Sequence, residues 1–414
     1  MTFQYITRLR GQILLGVLQL DIKLADRIKR VKPSPTLAVT ARANALRAEG
    51  KDIIGLGAGE PDFDTPEHIK QAAISAIEQG MTKYTPVDGT KELKQAIINK
   101  FERDNGLSYA PDQILVSCGG KQSFYNLCQA LLNPSDEVII PAPYWVSYPD
   151  MVLLAGGEPV IVEGDMEHGF SISPEQLKAA ITDKTRLVVI NSPSNPTGRS
   201  YTRAELSALA EALNQHPDIL IATDDMYEHI MWTEEAFHNI LNVCPDFYDR
   251  TIVMNGVSKA YSMTGWRIGY AAGPVDLIKN MKKIQSQSTS NPASISQAAA
   301  LEALQGDQSC IQTMLNEFKL RHDYLIDALN QIPGFSCLPG DGTFYAFPDV
   351  SEAIASLDEV NNDLEFSEYL LNNAGVAIVP GSAFGAPGYI RLSFATSMDI
   401  LQDAVARINK ALSK

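Results

Sequence analysis

Cysteine is scarce in this chain of 414 residues, which contains only five: Cys118, Cys128, Cys244, Cys310 and Cys337. The number is odd, the spacings are wide, and no two of them form a CxxC motif. This pattern argues against a framework of disulfide bonds, which small secreted proteins use for stability. We therefore expect a reducing compartment, and the cytoplasm is the natural one.

Basic residues are also few, since 34 Lys and Arg stand against 49 Asp and Glu, which gives a net charge of −15 at pH 7. An evenly acidic chain is a poor partner for nucleic acid, so we expect a soluble protein that does not bind it. The six histidines are not grouped at metal-ligand spacing. We predict no metal site, and we interpret His229 as a packing or surface residue.

Long apolar runs are missing as well, and no segment approaches the ~20 residues that span a membrane. The N-terminal stretch ITRLRGQILLGVLQL (6–20) has two arginines before a short apolar run, as a weak signal peptide would. No small-residue cleavage site follows, and the next residues are charged and helix-like. We expect residues 1–30 to form an extension, either a helical arm or residues ahead of the true start.

Strand-like and helix-like segments alternate through the middle of the chain. The apolar runs at 113–117, 136–142, 185–193, 218–225 and 251–257 are separated by helical patterns such as KQSFYNLCQALLN and RAELSALAEALNQH. This alternation predicts an α/β fold with a mostly parallel sheet covered on both faces. After residue 305 a long helix (308–330), hairpin-type strands and a final helix predict a second, α+β domain, which DIIGLGAGEPDFDTP (52–66) could join.

Several polar motifs follow these strands, where open α/β sheets bind ligands. VSCGGKQ (116–122) opens a helix with paired glycines, NSPSNPTG (191–198) is a rigid turn, and TDDMYEH (223–229) holds Asp224 and Tyr227. Each has a bland interpretation by itself: a tight turn, a structured loop, and a helix cap or surface carboxylate. In GVSKAYSMTGWRIGY (256–270), however, Lys259 stands among small residues, with Arg267 eight positions later.

One ligand would satisfy the whole set, and that ligand is pyridoxal phosphate. Its phosphate requires an anion site such as the GGK helix start together with Arg267. Its aldehyde requires a lysine such as Lys259, and its protonated ring nitrogen requires a carboxylate such as Asp224. A further arginine, Arg391, lies in a strand of the second predicted domain.

The motifs AGEPDF, YTPVDG, GGK, PYW, NPTG, D-x-x-Y, the lysine segment and RLSFA occur in this order from about residue 24 onward. In this respect the chain resembles class I/II pyridoxal-phosphate aminotransferases, and most of all the bacterial aspartate subgroup whose members often also transaminate prephenate. The resemblance implies fold type I: a large domain (64–306) with a mostly parallel seven-stranded sheet flanked by helices, and a smaller α+β domain (31–63 with 307–414).

The resemblance also implies roles in binding the cofactor. Lys259 would attach the aldehyde and move the substrate proton, while Asp224 would pair with the ring nitrogen. The other cofactor contacts would come from Gly120, Lys121, Trp145, Asn195, Tyr227, Ser258 and Arg267, and from Tyr84 of a neighbouring subunit. The last contact makes a homodimer with active sites at the subunit interface the expected working unit. Many relatives carry a serine where this chain has Gly256, so that hydroxyl contact is missing.

Substrate contacts are implied in the same way, for an amino acid and a 2-oxo acid. Arg391 and Gly59 would hold the α-carboxylate, and Trp145 and Asn195 would face the substrate as well. Some relatives bind the distal carboxylate with a partner arginine about 34 residues after the lysine, but this chain has no Lys or Arg over 284–318. Lys121 and Thr36, assisted by Ser34, match the residues that do this work in the bacterial branch.

The expected activity is transfer of the amino group of L-aspartate to 2-oxoglutarate, with prephenate as a further acceptor. Within the cofactor class, an aromatic, alanine or branched-chain aminotransferase or a C–S lyase stays open. A nicotinamide dehydrogenase is disfavoured because GLGAG (55–59) does not have the G-x-G-x-x-G spacing. A DNA-binding regulator is disfavoured because only about 30 residues precede KPSPT.

Overall fold

The computed structural model describes residues 4–9, 12–17 and 22–413, with side chains from residue 22 onward. The strands are β1 (Gln4–Leu9), β2 (Gln12–Val17), β3 (Ile54–Gly55), β4 (Ile114–Ser117), β5 (Glu137–Ala142), β6 (Glu158–Glu163), β7 (Thr185–Asn191), β8 (Leu220–Asp224), β9 (Thr251–Gly256), β10 (Gly269–Ala272), β11 (Tyr345–Ala346), β12 (Val376–Ala377), β13 (Val379–Pro380) and β14 (Ile390–Ser393).

The helices are α1 (Arg27–Arg30), α2 (Pro35–Ala48), α3 (Glu67–Glu78), α4 (Lys91–Lys100), α5 (Gly120–Leu131), α6 (Ser147–Leu154), α7 (Pro174–Ala180), α8 (Arg203–Leu213), α9 (Ile240–Val243), α10 (Val275–Ser286), α11 (Ser294–Gln305), α12 (Ser309–Leu329), α13 (Ser351–Ala355), α14 (Asp363–Asn373) and α15 (Met398–Leu412). Among the described residues, none of these helices combines the length and the apolar character that a bilayer crossing requires.

The N-terminal segment differs from the expected helical arm. β1 and β2 pair antiparallel, with Gln4 opposite Val17 and Leu9 opposite Gln12. The expectation of helix was wrong for these residues, because the periodicity of a short apolar run does not separate strand from helix. The end of the apolar run, residues 18–20, lies outside the described residues.

The central sheet has seven strands in the order β4-β10-β9-β8-β7-β5-β6. β6, β5, β7, β8 and β9 are mutually parallel, and β10 runs antiparallel to both β9 and β4. The predicted mostly parallel seven-stranded sheet is therefore confirmed. Apart from the partly exposed edge strand β6, its strands are mostly apolar and buried, as expected where helices cover both faces of a sheet.

The carboxyl edge of this sheet collects the motifs singled out in the sequence. β4 leads into α5, which begins at Gly120, and β8 ends at Asp224. The turn with Lys259 follows β9, and Asn195 lies four residues after the end of β7. Since parallel strands end at the same edge, residues distant in sequence become neighbours there.

A second group of strands lies outside the central sheet. β3 pairs parallel with β12, so that Ile54 faces Val376, and β11, β14 and β13 form a three-stranded antiparallel sheet. These strands pack with α12 and α15 around a hydrophobic core that includes Phe318 and Phe366. The segment DIIGLGAG thus joins the C-terminal part in space, as the sequence suggested. The exact domain boundaries stay a prediction.

Candidate active site

A cavity of about 390 Å³ opens where the carboxyl edge of the central sheet faces β14 and the start of α2. Its lining includes every residue that the sequence singled out for cofactor or substrate except Tyr84: Ser34, Thr36, Gly59, Gly120, Lys121, Trp145, Asn195, Asp224, Tyr227, Ser258, Lys259, Arg267 and Arg391. Segments separated by more than 350 residues in the chain therefore form one site.

The turn between β4 and α5 forms an anion cradle. Gly119 has a φ of 85°, and a Cβ there would come within 2.3 Å of Nη2 of Arg267. At Gly120 a Cβ would come within 2.6 Å of the Met226 methyl. Arg267 itself has a φ of 58°, in the left-handed region that residues other than glycine seldom adopt. The first amides of α5 and the guanidinium together suit a phosphate group.

Lys259 extends from the turn after β9 into the cavity. Its Nζ donates a hydrogen bond to the carbonyl oxygen of Gly59, on the segment that follows β3. Burial lowers the pKa of Lys259 to about 8, and although Glu60 opposes this, Arg391 and Arg267 add to it. About a tenth of such amines are neutral at pH 7, which makes this lysine far more nucleophilic than an exposed one.

Asp224 occupies the end of β8 and is held by two donors. The Tyr148 hydroxyl donates to Oδ2 at 2.6 Å, and the backbone N–H of Met226 donates to Oδ1 at 3.3 Å. Burial nevertheless raises the pKa of Asp224 above its usual value. A cation placed against this carboxylate would keep it ionised, which agrees with the need for a positive partner inferred from the sequence.

Aromatic side chains form one wall of the cavity. The hydroxyl groups of Tyr227 and Tyr345 are hydrogen-bonded at 2.9 Å, and burial raises the pKa of Tyr227 well above its usual value. Across the site, Nζ of Lys121 lies 5.1 Å from the ring centre of Trp145. Burial and nearby Arg267 lower the pKa of Lys121. The two tyrosines are thus neutral hydrogen-bonding groups, and Trp145 offers a flat face.

Arg391 on β14 is 2% exposed and lies in the floor of the cavity. Its Nη1 donates to Oδ1 of Asn195 at 2.9 Å and its Nη2 to the carbonyl of Gly57 at 2.8 Å. The guanidinium carbon lies 4.3 Å from the ring centre of Tyr345. Its buried Nε has no hydrogen-bond partner among residues 22–413. A fixed, partly unsatisfied guanidinium is suited to a carboxylate ligand.

Three of the remaining predicted residues line the cavity, and the fourth, Tyr84, does not. Ser34 is the N-cap of α2, and its Oγ accepts from the N–H of Leu37, so this helix start brings Ser34 and Thr36 to the cavity. Ser258 is buried beside Lys259. Tyr84 is 92% exposed and does not line the cavity of its own chain.

Sequence reasoning missed several side chains at the site, among them Tyr148, Tyr345 and Met226. Tyr148 supplies the hydrogen bond that Asp224 requires, and Met226 fills the space beside Gly120 and Gly256. A buried carboxylate signals that a partner exists, but the sequence does not say which residue supplies it. No local pattern marks these three side chains.

Asp225, the neighbour of Asp224, is a buried carboxyl group whose pKa can be tested through the stability of the protein. It is 1% exposed, its carboxylate accepts from Thr223 and Asn239, and burial together with Glu228 raises its pKa to about 8. The folded state therefore holds a proton that the unfolded chain releases near pH 4, so stability falls as pH rises from about 4 to about 8.

We expect Asp225→Asn to remove this pH dependence, because the amide mimics the protonated acid. Thermal melts should give similar Tm values for the two proteins at pH 5. At pH 9 the variant should melt a few degrees above the wild type. A Tm difference that does not change between pH 5 and pH 9 would show that Asp225 is not protonated in the folded protein.

The fold is that of an α/β enzyme, and its cavity brings a buried lysine and carboxylate together with the glycine turn before α5 and a fixed guanidinium. The family model for aminotransferase class I and II matches residues 51–408. The aspartate/prephenate aminotransferase of Nitrosomonas europaea is 61% identical over 397 residues, which are 95% of this chain and 100% of that protein. The aspartate aminotransferase of Bacillus subtilis is 51% identical over 393 residues, which are 95% of this chain and 100% of that protein.

Solved structures that are similar to this chain are also aspartate aminotransferases. The aspartate aminotransferase from Rhizobium meliloti superposes with a TM-score of 0.91 at 48% identity, covering 95% of this chain and 99% of that one. The Thermus thermophilus aspartate aminotransferase with maleate gives a TM-score of 0.89 at 44% identity, covering 94% and 100%. The chain belongs to the aminotransferase class I and II family.

Proposed function

We propose that the protein is a pyridoxal-phosphate-dependent aminotransferase that transfers the amino group of L-aspartate to 2-oxoglutarate, giving oxaloacetate and L-glutamate. The observation that carries the proposal is the cavity itself, where a lysine, an aspartate, an anion cradle and an arginine face one another. The relatives named aspartate aminotransferase or aspartate/prephenate aminotransferase support the choice of substrate.

The residues of the cavity fit pyridoxal phosphate. Gly119 and Gly120 leave a space that a side chain would fill, next to Arg267, and this space suits the phosphate. Asp224 is a carboxylate in need of a cation, and the protonated ring nitrogen is one. When bound, the cofactor supplies an aldehyde for the amino group and a ring that accepts electron density from the substrate.

The protein's own groups then hold and move protons. Lys259, with its pKa near 8, has an appreciable neutral fraction, so that Nζ can take the proton from the substrate Cα and later return one. Asp224, which accepts a hydrogen bond from Tyr148, would hold a proton on the ring nitrogen. Tyr227, Asn195 and Trp145 line the same cavity, where the first two would hydrogen-bond the ring hydroxyl and Trp145 would stack on the ring.

Substrate recognition divides between the two ends of a dicarboxylate. Arg391 binds the α-carboxylate, with Gly59 beside it, because its guanidinium is fixed by Asn195 and Gly57. Lys121 and Thr36, with Ser34, bind the distal carboxylate at the other side of the cavity. Maleate, the compound with the similar Thermus thermophilus enzyme, is also a dicarboxylate.

We further propose that a homodimer is the working unit, because Tyr84 is too exposed to serve its own cavity and would reach the partner's phosphate site. The large domain would span 64–306, and the small domain would combine 31–63 with 307–414. In support, the buried residues of one hydrophobic core all lie within 69–304, and those of the core around Phe318 lie mainly in the second set of ranges. All five cysteines are free thiols, which supports a cytoplasmic location.

Prephenate is the second candidate acceptor, because relatives at 61% and 56% identity are named aspartate/prephenate aminotransferases. Purified protein should be assayed with aspartate or glutamate as donor and with 2-oxoglutarate, oxaloacetate and prephenate as acceptors. Phenylalanine and alanine are the comparison donors. Turnover with phenylalanine or alanine that exceeds turnover with aspartate would contradict the proposal.

Replacement of Lys121 by alanine tests the distal-carboxylate contact. The variant keeps the backbone N–H but removes the ammonium, so KM for aspartate and glutamate should rise about tenfold or more, as for a lost charged hydrogen bond. KM for alanine and phenylalanine should change much less. Lys282→Ala, a lysine that pairs with Asp88 outside the cavity, is the control. An equal loss on all four amino acids would refute this role.

A further inference from the structure

A buried polar cluster lies directly beneath the active site and has no part in the chemistry described above. It consists of Lys100, Asn105, Glu228 and Asn255, which are 1%, 8%, 7% and 2% exposed. Lys100 forms an ion pair with Glu228 and donates to Oδ1 of Asn105 at 2.7 Å. The second Glu228 oxygen accepts from Asn105 at 2.6 Å.

The neighbours of Glu228 favour its charged form. Burial by itself raises the pKa of Glu228, but the ammonium of Lys100 and the surrounding donors hold that pKa below its usual value. A buried ion pair is seldom more stabilising than apolar packing of the same volume. We therefore look for a role of this buried ion pair other than stabilising the fold.

The cluster is connected to the turn that carries Lys259. Nδ2 of Asn255 donates to Oε1 of Glu228 at 2.7 Å, and Oδ1 of Asn255 accepts from the backbone N–H of Gly256 at 2.7 Å. Gly256 ends β9, and Lys259 follows three residues later. The amide of Asn255 thus bridges the Glu228 carboxylate and the start of the lysine turn.

Glu228 is also connected through the backbone to a residue that lines the cavity. Glu228 directly follows Tyr227, whose hydroxyl faces the cavity beside Tyr345. The backbone N–H of Asp225 donates to the carbonyl of Met254 at 2.9 Å, which is a second link between this turn and β9. One buried anion therefore lies between the segment of Tyr227 and the segment of Lys259.

We propose that Glu228 and Asn255 are positioning residues for Lys259. They act through two hydrogen bonds, one that the backbone N–H of Gly256 donates to Asn255 and one that the amide of Asn255 donates to Glu228. The inference rests on the proposed function, in which Lys259 is the reacting amine. Lys100 neutralises the charge of Glu228, and Asn105 donates a hydrogen bond to the second oxygen of the Glu228 carboxylate.

We also considered a metal site that would include Glu228 and two residues next to this cluster. Ligand atoms of Asp104, Glu228 and His229 lie within 4.8 Å of one another. The ammonium of Lys100 already pairs with Glu228, so the cluster contains its own cation, and we assign no metal to it.

The test uses Asn255→Ala, which removes both bridging hydrogen bonds. Turnover with aspartate should fall about tenfold to a hundredfold through kcat, with a smaller change in KM, because a slightly misplaced reacting group is costly. The second readout needs no cofactor. Labelling of Lys259 with acetic anhydride across pH, mapped by mass spectrometry, should give an apparent pKa nearer to that of an exposed lysine than in the wild type.

The matched control is Asn126→Ala, which removes another fully buried amide that donates to Gln285 at 3.0 Å. It should lower Tm to a similar extent and leave both kcat and Lys259 labelling unchanged. If Asn255→Ala does not fold, Asn255→Ser replaces it as the test variant. The exchange Glu228→Gln with Asn255→Asp keeps one carboxylate and one amide in contact, and it should recover most of the turnover lost in either single variant.

Unchanged labelling of Lys259 in Asn255→Ala, or an equal change in Asn126→Ala, would overturn the positioning role. This result is distinct from failure of the proposed function. That failure would appear in the wild type, as an absence of transamination, whereas the labelling of Lys259 can be measured in either case.

Discussion

Lys259→Ala is expected to abolish transamination while leaving the protein folded. Nζ is the group that we assign to proton transfer at the substrate Cα, and general acid–base catalysis contributes ~10²- to 10⁴-fold by itself. The loss of covalent attachment adds to this, so kcat for aspartate should fall by at least 10⁴-fold. The phosphate cradle and Asp224 stay in place, so cofactor should still bind.

The measurement is single-turnover and steady-state kinetics of purified Lys259→Ala, with Tm and cofactor content as controls. Lys259→Arg is a useful companion, because it keeps a cation near Gly59 but provides no neutral amine. Added methylamine should restore part of the activity of the alanine variant, since a small amine can occupy the vacated space. A Lys259→Ala enzyme that works at near wild-type rate would contradict the assignment.

Arg391→Lys should reduce kcat/KM about a hundredfold for every amino-acid substrate. A lysine cannot reproduce the fork of donors that reaches both Asn195 and Gly57, and a lost charged, two-point contact is worth about 3 kcal/mol. The effect should not depend on the substrate side chain, because the α-carboxylate is common to all substrates. This distinguishes it from Lys121→Ala.

Arg407→Lys is the control for the arginine prediction. Arg407 is a partly exposed residue of α15 that pairs with Asp52 and Asp403, so its replacement should leave kcat/KM within about twofold. A loss in Arg391→Lys that is confined to dicarboxylic substrates would mean that this arginine binds the distal group instead.

Much of the site was predictable because its residues follow strands. Lys259, Asp224 and Gly120 come just after apolar runs, and parallel strands bring their ends to one edge. We then assigned these residues to one site, because few ligands require a lysine, a carboxylate and an anion-binding turn at the same time. The role of Arg391, which belongs to a different sheet, came only from the resemblance to the family.

The supporting residues were not predictable, for a physical reason. Tyr148 reaches Asp224 only because α6 packs across the sheet, and Tyr345 reaches Tyr227 only because β11 pairs with β14. The bridge from Glu228 to Asn255 likewise depends on packing between segments. Such contacts depend on tertiary structure, and the hydrophobic periodicity of the sequence does not predict them.

The N-terminal hairpin and the direction of β10 escaped prediction in a similar way. A run such as Gln12–Val17 is too short for periodicity to distinguish helix from strand, and an antiparallel strand in a mostly parallel sheet has no composition of its own. Strand boundaries were close, however. The run expected at 185–193 forms a strand over Thr185–Asn191, which ends before Pro193.

The most direct test of this account is chemical reduction of the purified protein with borohydride, followed by proteolysis and mass spectrometry. The account predicts a stable pyridoxyl group on Nζ of Lys259, in the peptide that contains GVSKAYSMTGWR. A pyridoxyl group on a different lysine, or a protein that carries none after reconstitution with pyridoxal phosphate, would contradict it.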